Sequence, residues 1–167
     1  MLNWWLHWRP RAELYHFIGR GDKFENHPGG WSSGTHKFDR VLAVTRVSKT
    51  LGFSFIPNDM IYSDAVVLVM SEKASLFATL QSSIHTAFAW QNSSRLKNDL
   101  RYSPSDALET FPFPVHSNSN SLEALGSELD ILRSDIMASE GYGLTKLYGR
   151  MHSKKEISSQ LTKMRNI

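Results

Sequence analysis

Short apolar segments between positions 40 and 70 have a pattern typical of β-strands. In Arg40–Ser48 both alternating faces are largely apolar at first, with Arg46 near the end, and Phe53–Ile56 follows after a turn that contains glycine. Ile61–Met70 contains four consecutive aliphatic residues from Val66 onward, a run expected of a strand that is buried on both faces. These three segments predict a small sheet.

Helical spacing of apolar residues follows the predicted strands. Lys73–Gln91 predicts a central helix. The apolar residues that recur on one face of this helix form a stripe that is expected to face the core. The stripe consists of Phe77, Leu80, Ile84, Ala87 and Phe88.

A second helical region follows a proline-containing stretch, residues 92–118, that has little periodicity. Asn120 is expected to cap the next helix, with Glu123 at the capping-box position. Its apolar residues are spaced alternately by three and four, which predicts a narrow seam for packing against another helix. The seam consists of Leu122, Leu125, Leu129, Leu132 and Ile136.

These patterns predict an α+β fold in two parts. Residues 1–116 are expected to form a small mixed sheet with packed helices, and residues 117–167 an all-helical C-terminal segment. The composition agrees with a globular protein, since 41% of the 167 residues are hydrophobic and 21% are charged. The longest aliphatic run, residues 65–70, is too short to cross a bilayer, so we expect a cytoplasmic protein without membrane contact.

The sequence contains few residues in arrangements that support catalysis. The absence of cysteine excludes disulfides, thiolate metal sites and a cysteine nucleophile. His27 and His36 share a predicted loop without a third ligand, so we expect no metal. His85 on the central helix is either a general base or a hydrogen-bonded structural histidine, and the second interpretation is favoured. We therefore expect no catalytic residue and no cofactor in this chain.

The segment Gln91–Ser103 is rich in amide, hydroxyl and basic side chains. Such groups contact phosphate oxygens and base edges in nucleic acids. A solvated surface connector has the same composition, and the formal net charge of +3 is too small to decide between the two interpretations. Composition therefore leaves both open.

The segment Arg101–Pro114, with the sequence RYSPSDALETFPFP, closely resembles a signature of MmeI-like adenine-specific DNA methyltransferases. These are the type IIL fused restriction–modification enzymes and their phage-exclusion relatives. Further blocks similar to that family occur in the expected order at Trp4–Arg11, Arg46–Lys49, Leu80–Ser83 and Gly143–Lys146. The resemblance covers nearly the whole chain.

This resemblance implies a target recognition domain followed by a helical C-terminal part. In the family, this region selects the site in double-stranded DNA while a separate catalytic domain flips and methylates an adenine with S-adenosylmethionine. The sequence has no Pro-Pro motif of the catalytic half and no glycine-rich cofactor loop, so we expect the chain to be inactive alone. The residues implied to contact DNA are Arg46, Lys49, Ser93, Ser94, Arg95, Lys97, Asn98, Arg101, Tyr102 and Ser103.

Three tryptophans near the N-terminus, Trp4, Trp5 and Trp8, are expected to contact the catalytic domain or subunit rather than to form an interfacial membrane helix. The last predicted helix stops where family members continue, which suggests a truncated product or a separately encoded specificity subunit. Three alternatives remain at this stage. They are a protein-interaction module that docks on a methyltransferase subunit, a non-functional gene remnant, and a free-standing enzyme that uses His85 or the loop histidines.

Overall fold

The computed structural model describes residues 38–59, 62–115, 119–153 and 158–166, and over these ranges it confirms the α+β class. The strands are β1 (Arg40–Thr45), β2 (Val47–Ser48), β3 (Ser54–Pro57), β4 (Val66–Val69), β5 (Ser94–Leu96) and β6 (Asp99–Arg101). The helices are α1 (Ala74–Gln81), α2 (Ser83–Asn92), α3 (Asn120–Glu140), α4 (Leu144–Met151) and α5 (Ser159–Asn166), with a π-helical turn at Pro104–Leu108.

Two three-stranded sheets are joined where the chain passes from one to the other at Arg46. The first has the order β3-β1-β4 and the second β2-β6-β5. The backbone N–H of Arg46 donates to the Ala65 carbonyl oxygen and its own carbonyl accepts from the Tyr102 N–H, both at 2.8 Å. The strand predicted over residues 40–48 is therefore two strands. All pairings among the described strands are antiparallel, not mixed as predicted.

The predicted central helix is interrupted at Ser82 and forms α1 and α2. Ser82 has an extended backbone, and its Oγ accepts a hydrogen bond from the His85 N–H at 3.1 Å, which caps α2. Phe77 and Leu80 of the predicted stripe are buried. Ile84 is 73% exposed because the interruption changes the direction of the helix, so this part of the predicted stripe is wrong.

Helix α3 packs along α1 and connects the C-terminal helices to the rest of the core. Leu129 and Ile136 of the predicted seam are buried, whereas Leu125 remains 39% exposed. Gly126 permits the close approach of the two helices, because a Cβ atom at this position would lie 1.9 Å from the carbonyl oxygen of Ala74. Part of the seam is thus covered within the same chain, while Leu122, Leu125 and Leu129 also line a groove of about 1120 Å³.

The cap of α3 differs from the prediction. Ser119, not Asn120, is the N-cap, and its Oγ accepts from the Leu122 N–H at 3.3 Å. Glu123 does not close a capping box. Its carboxylate instead reaches the first turn of the neighbouring α1, where it accepts from the N–H groups of Ala74 and Ser75 at 2.9 and 2.8 Å.

The buried side chains form one cluster to which both sheets and all three C-terminal helices contribute. Its largest fully buried members include Phe53, Phe77, Tyr102 and Tyr148. In the described ranges, every helix is too short or too polar to traverse a bilayer.

Candidate nucleic-acid interface

The segment between α2 and the π-helical turn is a β-hairpin, although its lack of periodicity predicted irregular structure. Strand β5 pairs antiparallel with β6, with Ser94 opposite Arg101, and Lys97 and Asn98 form the two-residue turn. On its other side β6 pairs with β2, where Val47 lies opposite Arg101. The Leu96–Asp99 pair and the turn extend beyond β2 as a two-stranded β-ribbon, an element that the major groove of B-DNA admits.

Lys97 at the tip of the hairpin has a left-handed backbone, with φ of 58°. The first central residue of the common two-residue hairpin turns has a positive φ, which favours glycine or asparagine. For a residue with a Cβ atom, this conformation is less favourable by about 1 kcal/mol. Lys97 is the one described non-glycine residue in it, and its side chain is exposed. The turn therefore holds a cation at the tip at the expense of stability.

Two of the serines predicted to contact DNA fix the base of the hairpin. The Oγ of Ser93 accepts from the Ser103 N–H at 3.2 Å, which ties the start of β5 to the end of β6. The Oγ of Ser103 donates to Oδ2 of Asp106 at 2.6 Å and so joins the hairpin to the π-helical turn. Both serines are half-buried. Their hydroxyl groups are thus engaged within the fold.

Tyr102 lies beneath the hairpin in the core. Its side chain is 1% exposed, and its hydroxyl lies 3.3 Å from Nε2 of His85, whose Nδ1 is 2.8 Å from the Leu80 carbonyl oxygen. A carbonyl oxygen only accepts, so Nδ1 carries the proton and Nε2 accepts from Tyr102. The prediction that the Tyr102 side chain contacts DNA is therefore wrong, because the side chain does not reach the surface.

Burial keeps this pair neutral near pH 7. Desolvation lowers the pKa of His85 against the opposing effect of its hydrogen bonds to the backbone at Leu80 and Ala107, and desolvation raises the pKa of Tyr102. The ring of Phe111 covers His85 at a centroid distance of 4.8 Å. His85 is consequently the hydrogen-bonded structural histidine that the sequence favoured over a general base.

The remaining predicted residues of the hairpin are solvent-exposed and occupy both of its faces. Arg101 lies on the outer face, because the next residue toward the tip, Leu100, points into the core. Arg95 lies opposite Leu100 on the inner side, and its guanidinium carbon is 5.5 Å from the ring centroid of Trp90. The exposed residues of the predicted set that lie in the hairpin are Ser94, Arg95, Lys97, Asn98 and Arg101.

The structure brings Arg46 beside Arg101 but separates Lys49 from both. A groove of about 410 Å³ on the outer face is lined by Thr45, Arg46, Val47, Asp64, Ala65, Leu96 and Arg101. The Nε of Arg46 donates to the Asp64 carbonyl oxygen at 2.8 Å, which orients its guanidinium along this groove. Lys49 follows β2 and lines a different groove of about 1120 Å³ between α2 and the C-terminal helices.

Five residues of the outer groove are absent from the predicted set of DNA contacts, namely Thr45, Val47, Asp64, Ala65 and Leu96. The strand pairing of β2, β6 and β5 brings Val47 and Leu96 together, and this pairing was not predicted. Trp4, Trp5 and Trp8 lie outside the described residues, as do His27 and His36. Within the described ranges no group of three histidines or carboxylates is arranged to hold a metal ion.

Comparison with known proteins identifies the domain to which this hairpin belongs. Residues 35–115 match the family model described as MmeI, target recognition domain. The chain is also similar to a solved structure, that of the type IIL restriction–modification enzyme MmeI in complex with DNA, with a TM-score of 0.60 and 21% sequence identity. The similarity covers 78% of this chain and 18% of that one. No curated protein matches significantly. Residues 35–115, just under half of the chain, thus match the target recognition domain of MmeI, as their resemblance to that family predicted.

Proposed function

We propose that this chain binds double-stranded DNA and supplies the sequence specificity of an adenine-specific restriction–modification methyltransferase. The family match over residues 35–115 is the observation that carries the proposal. The exposed hairpin supports it, because it is a ribbon of the right width with cations at its tip and on both faces. The similar solved enzyme is one whose structure was determined with DNA.

The two faces and the tip of the hairpin have different tasks in this proposal. When a ribbon enters the major groove tip first, its turn approaches the floor, where base edges are exposed. Lys97 and Asn98 occupy that turn. Arg95 and Arg101 lie on opposite faces and would approach the two sugar–phosphate walls, where contacts fix position rather than sequence. Arg46 extends the cationic surface beside Arg101.

Methylation itself belongs, in this proposal, to a separate catalytic domain or subunit in the same cytoplasm. That domain would bind S-adenosylmethionine and flip the target adenine out of the helix. The present chain contributes binding, orientation and choice of site. Trp4, Trp5 and Trp8 are proposed to contact the catalytic domain, since aromatic residues are enriched where protein surfaces meet.

A salt titration of duplex binding tests the proposal. Each phosphate contact that is lost reduces the slope of log affinity against log salt concentration by about 0.9. We expect the combined variant Arg95→Ala, Lys97→Ala, Arg101→Ala to lower that slope by about 2 to 3 in fluorescence anisotropy with the full-length chain. The variant Lys146→Ala, which removes an exposed cation from α4, is expected to leave the slope unchanged. Equal slopes for the wild type and the triple variant would overturn the proposal.

Lys97→Gly separates a loss of binding from a loss of folding. Glycine adopts the left-handed backbone of this turn without strain, so the free energy of unfolding should be unchanged or higher by up to about 1 kcal/mol. The same substitution removes the charge at the tip and is expected to weaken DNA binding. A variant that is both as stable and as tightly bound as the wild type would exclude Lys97 from the interface.

A further inference from the structure

Two apolar side chains are exposed on the outer face of the small sheet. Leu96 is 53% exposed and Val47 is 37% exposed. The register places Val47 directly opposite Arg101 and Leu96 two pairs further toward the tip, opposite Asp99. Alternation directs the side chains of these positions to the same face, opposite to that of the buried Leu100.

The surroundings of Leu96 differ from those of an isolated exposed aliphatic residue. Leu96, Val47 and Ala65 together form apolar walls of the 410 Å³ groove, into which Arg46 and Arg101 also project. A second protein chain would bury such walls with its own apolar groups, whereas the two guanidinium groups, which outnumber the one acidic lining residue Asp64, favour a polyanion. The major groove of DNA combines both features, since phosphates line its edges and the 5-methyl groups of pyrimidines are exposed on its floor.

We infer that Leu96, supported by Val47, contacts the 5-methyl group of a pyrimidine in the recognised sequence and makes the chain selective for that methyl group. This inference rests on the proposed function, because it requires the hairpin to enter the major groove. Thymine and 5-methylcytosine both present the group in the same place. Leu96 acts through apolar contact alone, so its contribution is independent of salt.

Base substitutions in a bound duplex test the inference. A duplex enriched from a randomised library by the wild-type chain would be resynthesised with each thymine replaced in turn by uracil, which removes only the methyl group. At one position we expect uracil to weaken binding about fourfold, the effect of burying one methyl group. Leu96→Ser should bind the thymine and uracil duplexes equally, with the salt slope of the wild type, and Leu96→Met should retain the preference.

The remaining arms identify the source of the methyl group and provide controls. The thymine–adenine pair at which uracil weakens binding would also be replaced with 5-methylcytosine–guanine and with cytosine–guanine. Tighter binding of the 5-methylcytosine duplex than of the cytosine duplex shows that the methyl group itself is recognised, and equal binding shows that recognition requires thymine. Ile131→Ser, at an aliphatic residue of α3 that is 62% exposed, should not alter the thymine preference. Salt-dependent binding by the wild type without any thymine preference, or a preference that survives in Leu96→Ser, overturns the inference alone. Absence of salt-dependent binding overturns the proposed function with it.

Discussion

Replacement of Gly126 by alanine gives opposite predictions from sequence and from structure. Gly126 lies in the interior of the 21-residue helix α3, where alanine is favoured over glycine by about 1 kcal/mol. In the structure, however, a Cβ atom at this position would lie 1.9 Å from the carbonyl oxygen and 2.5 Å from the carbonyl carbon of Ala74. The sequence therefore predicts stabilisation, and the structure predicts a clash between two helices.

The size of the clash follows from the atoms involved. The carbonyl of Ala74 is part of the backbone at the start of α1, so no change of side-chain rotamer relieves the contact. Helices α1 and α3 have to separate along their contact, or α1 has to begin later. Forcing extra atoms into a packed site typically costs about 1 to 3 kcal/mol. Because the gain in helix propensity offsets about 1 kcal/mol of this cost, we expect Gly126→Ala to destabilise the protein by up to about 2 kcal/mol.

Urea unfolding followed by circular dichroism at 222 nm, a helix-sensitive wavelength, measures this difference. The matched control is Gly149→Ala in α4, where a Cβ atom would have no described neighbour within 4 Å. That variant should be stabilised by about 0.5 to 1 kcal/mol. The two substitutions are chemically identical, so only packing distinguishes them. Stabilisation of the protein by both substitutions would refute the close approach of α1 and α3.

Three further predictions concern the polar groups of the core and the helix ends. Glu123→Gln removes a charged acceptor from the N–H groups of Ala74 and Ser75 and should cost about 1 kcal/mol in urea unfolding. Desolvation raises the pKa of Glu123, but the hydrogen bonds from the backbone lower this pKa by more. The stability that the Glu123 carboxylate contributes is therefore fully present above its ordinary pKa and is lost as the pH falls through the lowered pKa. This loss of stability in acid should be absent in Glu123→Gln. Tyr102→Phe removes the hydroxyl that donates to His85 and should cost about 0.5 to 1.5 kcal/mol, and an unchanged unfolding midpoint would contradict this hydrogen bond. Burial lowers the pKa of His85, so the histidine is protonated in the unfolded chain before it is protonated in the folded one as the pH falls. The free energy of unfolding should therefore be constant above the unfolded pKa of about 6.5 and should decline below it. This decline should be smaller in His85→Gln.

The parts of the fold that the sequence predicted are those with a strong apolar period. The four aliphatic residues of β4 and the seam of α3 were recognisable because burial of these side chains requires that spacing. The interruption at Ser82 was not recognisable, since the apolar stripe continues on both sides of it. A serine hydroxyl can cap a helix or remain within one, and tertiary packing decides between the two.

The hairpin escaped prediction for a different reason. Both of its faces are polar over most of their length, so β5 shows no alternation, and the turn contains lysine where glycine is the usual signal. The resemblance implied that the whole segment from Ser93 to Ser103 faces DNA, and Tyr102 was expected at that surface for this reason. Strand alternation places the Tyr102 side chain on the face opposite to that of its neighbour Arg101. This placement can be predicted from the sequence only after the segment is known to be a strand.

This alternation separates the side chains that stabilise the fold from a side chain that is proposed to contact DNA. Leu100 and Tyr102 are 1% exposed and anchor β6 in the core, while Arg101 between them is exposed. Truncation of a buried leucine costs about 2 to 5 kcal/mol, whereas an exposed arginine contributes little to folding. The outer face can consequently change its residues without loss of the fold. A domain that selects DNA sequences requires this property, because a change of specificity then needs new side chains on an unchanged ribbon.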